Sequence, residues 1–269
     1  MEYWRGKRAV ITGGSSGLGR ALAGALAQRG ARVAVIARGA AALAETSHQL
    51  RTLGGDVLAL AADVTVQEEV NQFSTTILEQ WGGIDLLAHC AGRSMRGNAL
   101  ATPISGFQEL WEANFLSAVR LAQAFAEPLA SNRGHIVLIG SLASKVAPRY
   151  LGAYPASKFA VAALAQQLRL ELDPRGVHVL LVCPGPIERE GGGERYFELA
   201  PDVPAEAHQP AGGAKIRRID PAALSERILR ACERRRAELI VPRRARLLFA
   251  ATQLFPRFGD WCLRKMTAE

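Results

Sequence analysis

The sequence predicts an α/β fold, a doubly wound parallel sheet with helices on both faces. Three observations lead there. Short, continuous Val/Ile/Leu-rich runs alternate with longer helical patterns. A glycine-rich turn, Gly13-Gly14-Ser15-Ser16-Gly17-Leu18-Gly19, joins the first run to the first helix. The 269 residues, 49% hydrophobic and 22% charged, have the composition and length of a globular chain with a large core.

In order, Arg8–Thr12, Arg32–Ala37, Val57–Ala61, Ile84–His89, His135–Gly140, Val177–Cys183 and Leu239–Val241 read as strands. They lack polar alternation, as strands buried on both faces should. Helical patterns lie between them, near residues 17–29, 40–53, 66–81, 107–131, 154–172 and 221–236. No repeat or linker divides the chain, so residues 1–269 are expected to form a single domain.

Two regions fall outside the alternation. Residues 188–219 hold Gly191-Gly192-Gly193, Pro201, Pro204, Pro210 and Gly212-Gly213. A connection this long and broken reads as a substrate loop. The other is the basic amphipathic tail, residues 243–269. Leu247, Ala251, Leu254, Phe258 and Trp261 recur there at helical spacing among Arg243, Arg244, Arg246, Arg257, Arg264 and Lys265. Pro256 should interrupt that helix. Packing in the core or in a dimer is one reading of the tail; a segment lying on a membrane surface is the other.

The net charge of +8 is uneven. Residues 205–269 carry 14 basic against 7 acidic side chains, and the first 204 residues are nearly neutral. No nucleic-acid motif accompanies this charge, so no nucleic-acid partner is expected. The longest uncharged run, Gly97–Gln108, falls well short of the roughly 18 apolar residues of a membrane span. The first residues do not resemble a secretory signal, and a cytoplasmic location is expected. Cys90, Cys183, Cys232 and Cys262 form no C-x-x-C pair, the histidines are scattered, and no metal site is expected.

The glycine-rich turn points to a phosphate. Glycines let the backbone approach a pyrophosphate, and the helix that follows offers free N–H groups and the positive end of its dipole. Gly13, Ser15, Ser16, Gly17, Leu18 and Gly19 are the candidate contacts. The second strand ends at Arg38 with no acidic residue beside it. A planar guanidinium there suits a 2′-phosphate and favours NADP(H) over NAD(H).

A second constellation follows. Tyr154 and Lys158 stand four apart, on one helical face, with Pro155 tolerable in the first turn. A nearby ammonium stabilises a tyrosinate and suits the pair to general acid/base work. Ser141 ends the fifth strand, at the sheet edge that carries the glycine turn. Asn114 interrupts an apolar helix and reads as a satisfied core asparagine, a polar kink or a relay site.

The T-G-x-x-x-G-x-G pattern of Thr12–Gly19, together with Asn114, Ser141, Tyr154 and Lys158, resembles the short-chain dehydrogenase/reductase family over about residues 7–187. The resemblance implies a Rossmann-type fold and an oxidoreductase interconverting a ketone and a secondary alcohol. It implies that Tyr154 moves the proton at the substrate oxygen, Ser141 binds that oxygen, Lys158 holds the nicotinamide ribose, and Asn114 positions a relay water. It also implies cofactor contacts from Asp63 and Val64 to adenine, and from Ala91, Gly92, Pro184, Gly185 and Ile187 near the nicotinamide. Cys90 stands where the family usually has asparagine, and Arg189 where it often has threonine. The residues after Lys158 are similar to those of reductases of sphingoid-base ketones or steroids, which suggests a hydrophobic or lipid-like carbonyl. Family members are commonly homodimers or homotetramers. Here Ala118, Ala122, Ala160 and Ala163 on the two long helices would either meet a second copy or face the sheet. The rival reading is a non-catalytic NADP(H)-binding regulator or scaffold.

Overall fold

A computed structural model describes residues 2–188, 203–204 and 217–266. Seven strands form one sheet: β1 (Arg8–Thr12), β2 (Arg32–Ala37), β3 (Asp56–Ala61), β4 (Leu86–His89), β5 (His135–Ile139), β6 (His178–Pro184) and β7 (Glu238–Val241). Their order is β3-β2-β1-β4-β5-β6-β7, and every pairing is parallel.

Successive strand residues point to opposite faces, and both faces are buried. Ala9, Ile11, Val33, Val35 and Val137 face one layer, built on α1 (Gly17–Ala27), α2 (Ala40–Thr52) and α7 (Pro221–Glu233). Val10, Ala34, Ile36, Ile136 and Leu138 face the other, built on α3 (Gln67–Trp81), α5 (Ser117–Ser131) and α6 (Tyr154–Leu172). Two-sided burial explains why the strands read as unbroken apolar runs.

Local chemistry sets the helix ends. Gly82, at φ +69°, closes α3 in the left-handed region that favours glycine. Asp220 opens α7 by accepting the N–H groups of Ala222 and Ala223, with Pro221 at the first helical position.

The helix expected over 107–131 is not one continuous α-helix. It begins earlier, as α4 (Ile104–Trp111), and passes through a π turn over Glu112–Leu116 before α5. Asn114 sits in that turn, buried. A π turn inserts one residue into the helical repeat, so no apolar spacing announces it. In the tail, Pro256 separates α8 (Ala245–Leu254) from α9 (Pro256–Met266). Most of the expected substrate loop, including Gly191-Gly192-Gly193 and Arg189, lies outside the described residues.

Ala118 and Ala122 are buried in the core, so they face the sheet and not a second copy; Ala160 is half-buried and Ala163 exposed. Among the described residues no helix is long and apolar enough to cross a membrane.

Candidate active site

The strand order reverses between β1 and β4, and the loops leaving those strands at their carboxyl ends meet there. A Cβ on Gly13 would lie 2.7 Å from the Ala91 nitrogen, and Gly13 has φ +67°. Glycine is required on both counts. Gly19 is equally constrained, since its Cβ would fall 2.2 Å from the Gly13 oxygen. These contacts fold residues 13–19 over the start of α1. Ser16 precedes that helix without capping it through its side chain, and the first turn holds no acidic residue. The N–H groups and dipole at this end therefore suit a phosphate.

Arg38, at the end of β2, is mostly exposed and lies 3.7 Å from Asp63, beyond β3. Asp63 accepts from the Thr65 backbone N–H at 2.9 Å and hydroxyl at 2.7 Å. Burial opposes ionisation of Asp63, but the Thr65 hydrogen bonds and the Arg38 charge prevail and hold its carboxyl below the usual range. Arg38 and Asp63 thus place a donor and an acceptor side by side beyond β2 and β3.

His89 and Cys90 follow in the β4 strand end. Ser117 Oγ donates to the Ala113 carbonyl at 2.9 Å, so it accepts from His89 Nε2–H at 3.0 Å. His89 Nδ1 is then the acceptor for the Thr12 hydroxyl at 2.8 Å. Burial, reinforced by the Lys158 charge, pushes the His89 pKa down to about 3 and keeps the ring neutral. His89 thus ties β4 to β1 and α5 behind the cradle. The sequence places His89 at the end of the fourth strand but assigns it no role, although a histidine inside a buried strand was the available signal. Burial likewise pushes the Cys90 thiol up to about 12, against the opposing Lys158 charge. The Cys90 thiol, which lines the same cavity as Lys158, is thereby held protonated.

Four side chains converge beyond β4 and β5. Ser141 Oγ accepts the Ala143 N–H at 3.1 Å, and the Ser141 N–H donates to Ser144 Oγ at 3.0 Å, which fixes the serine at the strand end. Lys158 is buried, donates to the Ile139 carbonyl at 2.8 Å and lies 5.9 Å from the centre of the Tyr154 ring. Asn114 Oδ1 accepts the Arg93 N–H at 2.8 Å, and its Nδ2 donates to the Arg93 carbonyl at 3.0 Å and to Ser157 Oγ at 2.9 Å. A Cβ on Gly92 would lie 2.7 Å from Asn114 Oδ1 and 3.5 Å from Lys158 Nζ. The missing side chain leaves a gap between those two polar atoms.

Ser141, Tyr154, Lys158, Ala91, Gly92, Pro184, Gly185 and Ile187 all line one cavity of about 700 Å³. One apolar wall comes from Leu142, Val146 and Leu151. Leu248 and Phe249 of α8 and Trp261 and Leu263 of α9 line the cavity as well. The tail therefore shapes the cavity, a role its spacing did not reveal. Only Phe249 of α8 is buried, while Leu247 and Leu254 are 78% and 72% exposed, so the tail is not mainly core.

Two of the histidines that are far apart in sequence meet in space. His135 and His178 begin the neighbouring strands β5 and β6 and lie with Cys232 at the opposite edge of the sheet. Hydrogen bonds already occupy the imidazoles. His178 Nε2–H donates to the Arg236 carbonyl at 2.8 Å, His135 Nδ1–H to His178 Nδ1 at 2.9 Å, and the Tyr3 hydroxyl to His135 Nε2 at 2.6 Å.

The family model described as short chain dehydrogenase matches residues 7–195. The chain is 31% identical over 192 residues to mouse 3-ketodihydrosphingosine reductase, covering 69% of this chain and 58% of the relative. It is 30% identical over 265 residues to 11-beta-hydroxysteroid dehydrogenase A of Sesamum indicum, covering 97% and 75%. The chain spans 14%, 60% and 58% of the lengths of the first three curated relatives it matches. Among solved structures, L-sorbose reductase from Gluconobacter frateurii, complexed with NADPH and L-sorbose, superposes with a TM-score of 0.78 at 27% identity, covering 88% of this chain and 95% of that one.

Proposed function

Because the chain belongs to the short chain dehydrogenase family, a family of NAD(P)-dependent dehydrogenases and reductases, we propose that it is an NADP(H)-dependent oxidoreductase interconverting a ketone and a secondary alcohol. Residues 1–269 act as one unit in this reading, with 188–219 as the substrate loop. The observation that carries it is the meeting of Ser141, Tyr154 and Lys158 on one cavity at the carboxyl edge of the sheet.

The tyrosine hydroxyl gives the proton to the substrate oxygen, or takes it back, and Ser141 Oγ hydrogen-bonds that oxygen. The buried Lys158 ammonium favours the phenolate and reaches the nicotinamide ribose. Asn114 Oδ1 keeps a lone pair beyond its bond to Arg93, facing the gap at Gly92. A relay water held there would connect it to Lys158.

Gly13, Ser15, Ser16, Gly17, Leu18 and Gly19 hold the pyrophosphate, Arg38 the 2′-phosphate, and Asp63 and Val64 the adenine. Ala91, Gly92, Pro184, Gly185 and Ile187 flank the nicotinamide ring. When bound, the cofactor supplies or accepts the hydride. The apolar walls favour a hydrophobic or lipid-like carbonyl, in keeping with relatives named for a ketosphingoid and a hydroxysteroid. Four free thiols fit the reducing cytoplasm. Exposed Phe159 and Leu170 on α6 suit a homodimer or homotetramer.

Titration with NADPH and NADH, read by nicotinamide fluorescence, tests the cofactor, and a screen of hydrophobic ketones tests the chemistry. Preference for NADPH and turnover of one or more ketones are expected. Nucleotide binding with no turnover of any carbonyl would favour a regulator or scaffold instead.

A further inference from the structure

Behind the catalytic cavity, on the other side of α8, lies a second cavity of about 1070 Å³. It runs along the edge strand β7, between the end of α6, α7 and α8. Eight Lys and Arg side chains line it, against the single carboxylate of Glu238. Lys145 already holds that carboxylate at 2.6 Å. Arg169 enters from α6, Arg227 and Arg230 from α7 and Arg234 from the residue after it, Arg243 from the turn before α8 and Arg246 from its first turn. None of these six forms an ion pair among the described residues. Arg169 Nη1 is buried and has no hydrogen-bond partner among them. A buried guanidinium N–H left unmade is costly, and crowded cations repel one another. Both penalties fall when an anion enters. Guanidinium forks match phosphate oxygens in pairs.

The groove adjoins an apolar ridge. Helix α8 has three faces. Ala245 and Leu248 line the catalytic cavity, Arg246, Ala250 and Gln253 line the basic groove, and Leu247 and Leu254 face solvent. Phe255 and Phe258 continue that exposed stripe into α9, where Phe258 stacks on Trp261 at 5.8 Å. The two helices cross tightly at Gly259, whose Cβ would lie 2.7 Å from Thr252, so the hairpin presents the ridge as a unit. From 243 to 266 the chain has six basic residues and one acidic residue, Asp260.

We propose that the α7–β7–α8 groove and the α8–α9 ridge together form a docking surface for an anionic phospholipid bilayer. The groove takes headgroup phosphates, and Leu247, Leu254, Phe255 and Phe258 enter the interface. Charge complementarity selects this occupant. A second copy meeting this face through a two-fold axis would set one cationic groove against another. Docking also places a lipid surface against α8, the helix that walls the catalytic cavity. The proposal stands apart from the reductase reading, because bilayer binding needs no turnover.

The test is flotation with phosphatidylcholine vesicles, with and without an equal part of phosphatidylserine, at low and high salt. Pyrophosphate serves as a soluble competitor, and because the glycine turn also suits a pyrophosphate, only the binding that Arg230→Glu with Arg234→Glu removes is assigned to the groove. Binding to the anionic vesicles alone, reversed by salt, is expected. Arg230→Glu with Arg234→Glu should weaken it by about tenfold or more. Leu254→Ser with Phe258→Ser should abolish vesicle binding while leaving pyrophosphate binding intact. NADPH binding, measured on every variant, should be unchanged and shows that each is folded. Binding of pyrophosphate without binding of anionic vesicles overturns the proposal in favour of a soluble phosphorylated ligand. Loss of a dimer in the Leu254/Phe258 variant, with no vesicle binding by the parent, overturns it in favour of a second copy. Failure of the parent to bind either probe, or vesicle binding indifferent to the Arg230/Arg234 variant, overturns it outright.

Discussion

At the amino edge of the sheet, buried polar groups find protein partners. Asp85, entering β4, takes the Arg8 N–H at 3.0 Å, the Arg8 Nε–H at 2.8 Å and the Lys7 ammonium at 3.1 Å. Tyr3, His135, His178 and the Arg236 carbonyl form one chain of donors and acceptors, and Trp4 Nε1 donates to Glu233 at 2.8 Å. At the carboxyl edge, His89 is held in the same way. Yet Ser141, Tyr154 and Lys158 line an open cavity in front of it. One edge uses its polar groups to fasten the N-terminal segment and β4, β5 and β6 together. The other fastens the back of the site and turns its front toward a ligand. The amino edge thus gives its polar groups to protein partners, whereas the carboxyl edge does so with His89 and also presents Ser141, Tyr154 and Lys158 to the cavity.

That division can be broken at its strongest point. Tyr154→Phe removes one hydroxyl from the cavity and should lower turnover about a hundredfold to ten-thousandfold. The thermal midpoint and NADPH binding should stay near those of the parent. Turnover within a factor of a few would remove Tyr154 from the proton path.

Acid acts on both edges at once. Burial sets the folded pKa of His89 and of His135 near 3, below the ordinary 6.5. Their neutral forms are favoured on folding, so the unfolded chain binds extra protons below about pH 6.5. Stability is full above that pH and falls as pH drops, until the folded state itself titrates near 3. From pH 7 to pH 5 each histidine should cost about 2 kcal/mol. Urea unfolding at the two pH values checks this, and equal midpoints would refute it. His135→Gln should flatten the dependence in part, while His89 and His178, whose pKa burial also lowers, sustain the remainder.

The strands were legible because two-sided burial writes itself as apolar runs, and each lies within two residues of its expected position. The glycine loop, Ser141, Tyr154 and Lys158 were legible because each depends on short-range spacing or on a strand end. Three features were not. The π turn at Asn114 adds one residue to a helix, which periodicity does not register. His89 gains its meaning from Thr12 and Ser117, distant in sequence. The α8–α9 wall depends on a tertiary approach, and the residue spacing fits core, dimer and membrane readings alike.

A smaller effect isolates the amino edge. Asp85→Asn keeps the shape of the side chain and removes the charge that Arg8 and Lys7 share. Although burial opposes it, the Arg8 and Lys7 hydrogen bonds hold the Asp85 carboxyl below its usual range. The loss should be about 2 kcal/mol, since Lys7 is partly exposed and screened. Denaturant unfolding measures it, and turnover per folded molecule should not change. A fall in turnover at full folding would join the two edges functionally and erase the distinction between them.

The smallest expected effect lies at the rim of the carboxyl edge. Arg38 is exposed enough for water to weaken its pairing, so its attraction for a 2′-phosphate is worth about 1 kcal/mol. Arg38→Ala should weaken NADPH binding about fivefold and leave NADH binding unchanged. Parallel fluorescence titrations of the two nucleotides separate this from damage to the fold, because both share the glycine cradle. Equal losses for both would mean that Arg38 acts by organising the cradle through Asp63. An unchanged ratio with unchanged affinities would leave discrimination to another residue, and the absence of an acid after β2 would only permit NADP(H) without selecting it.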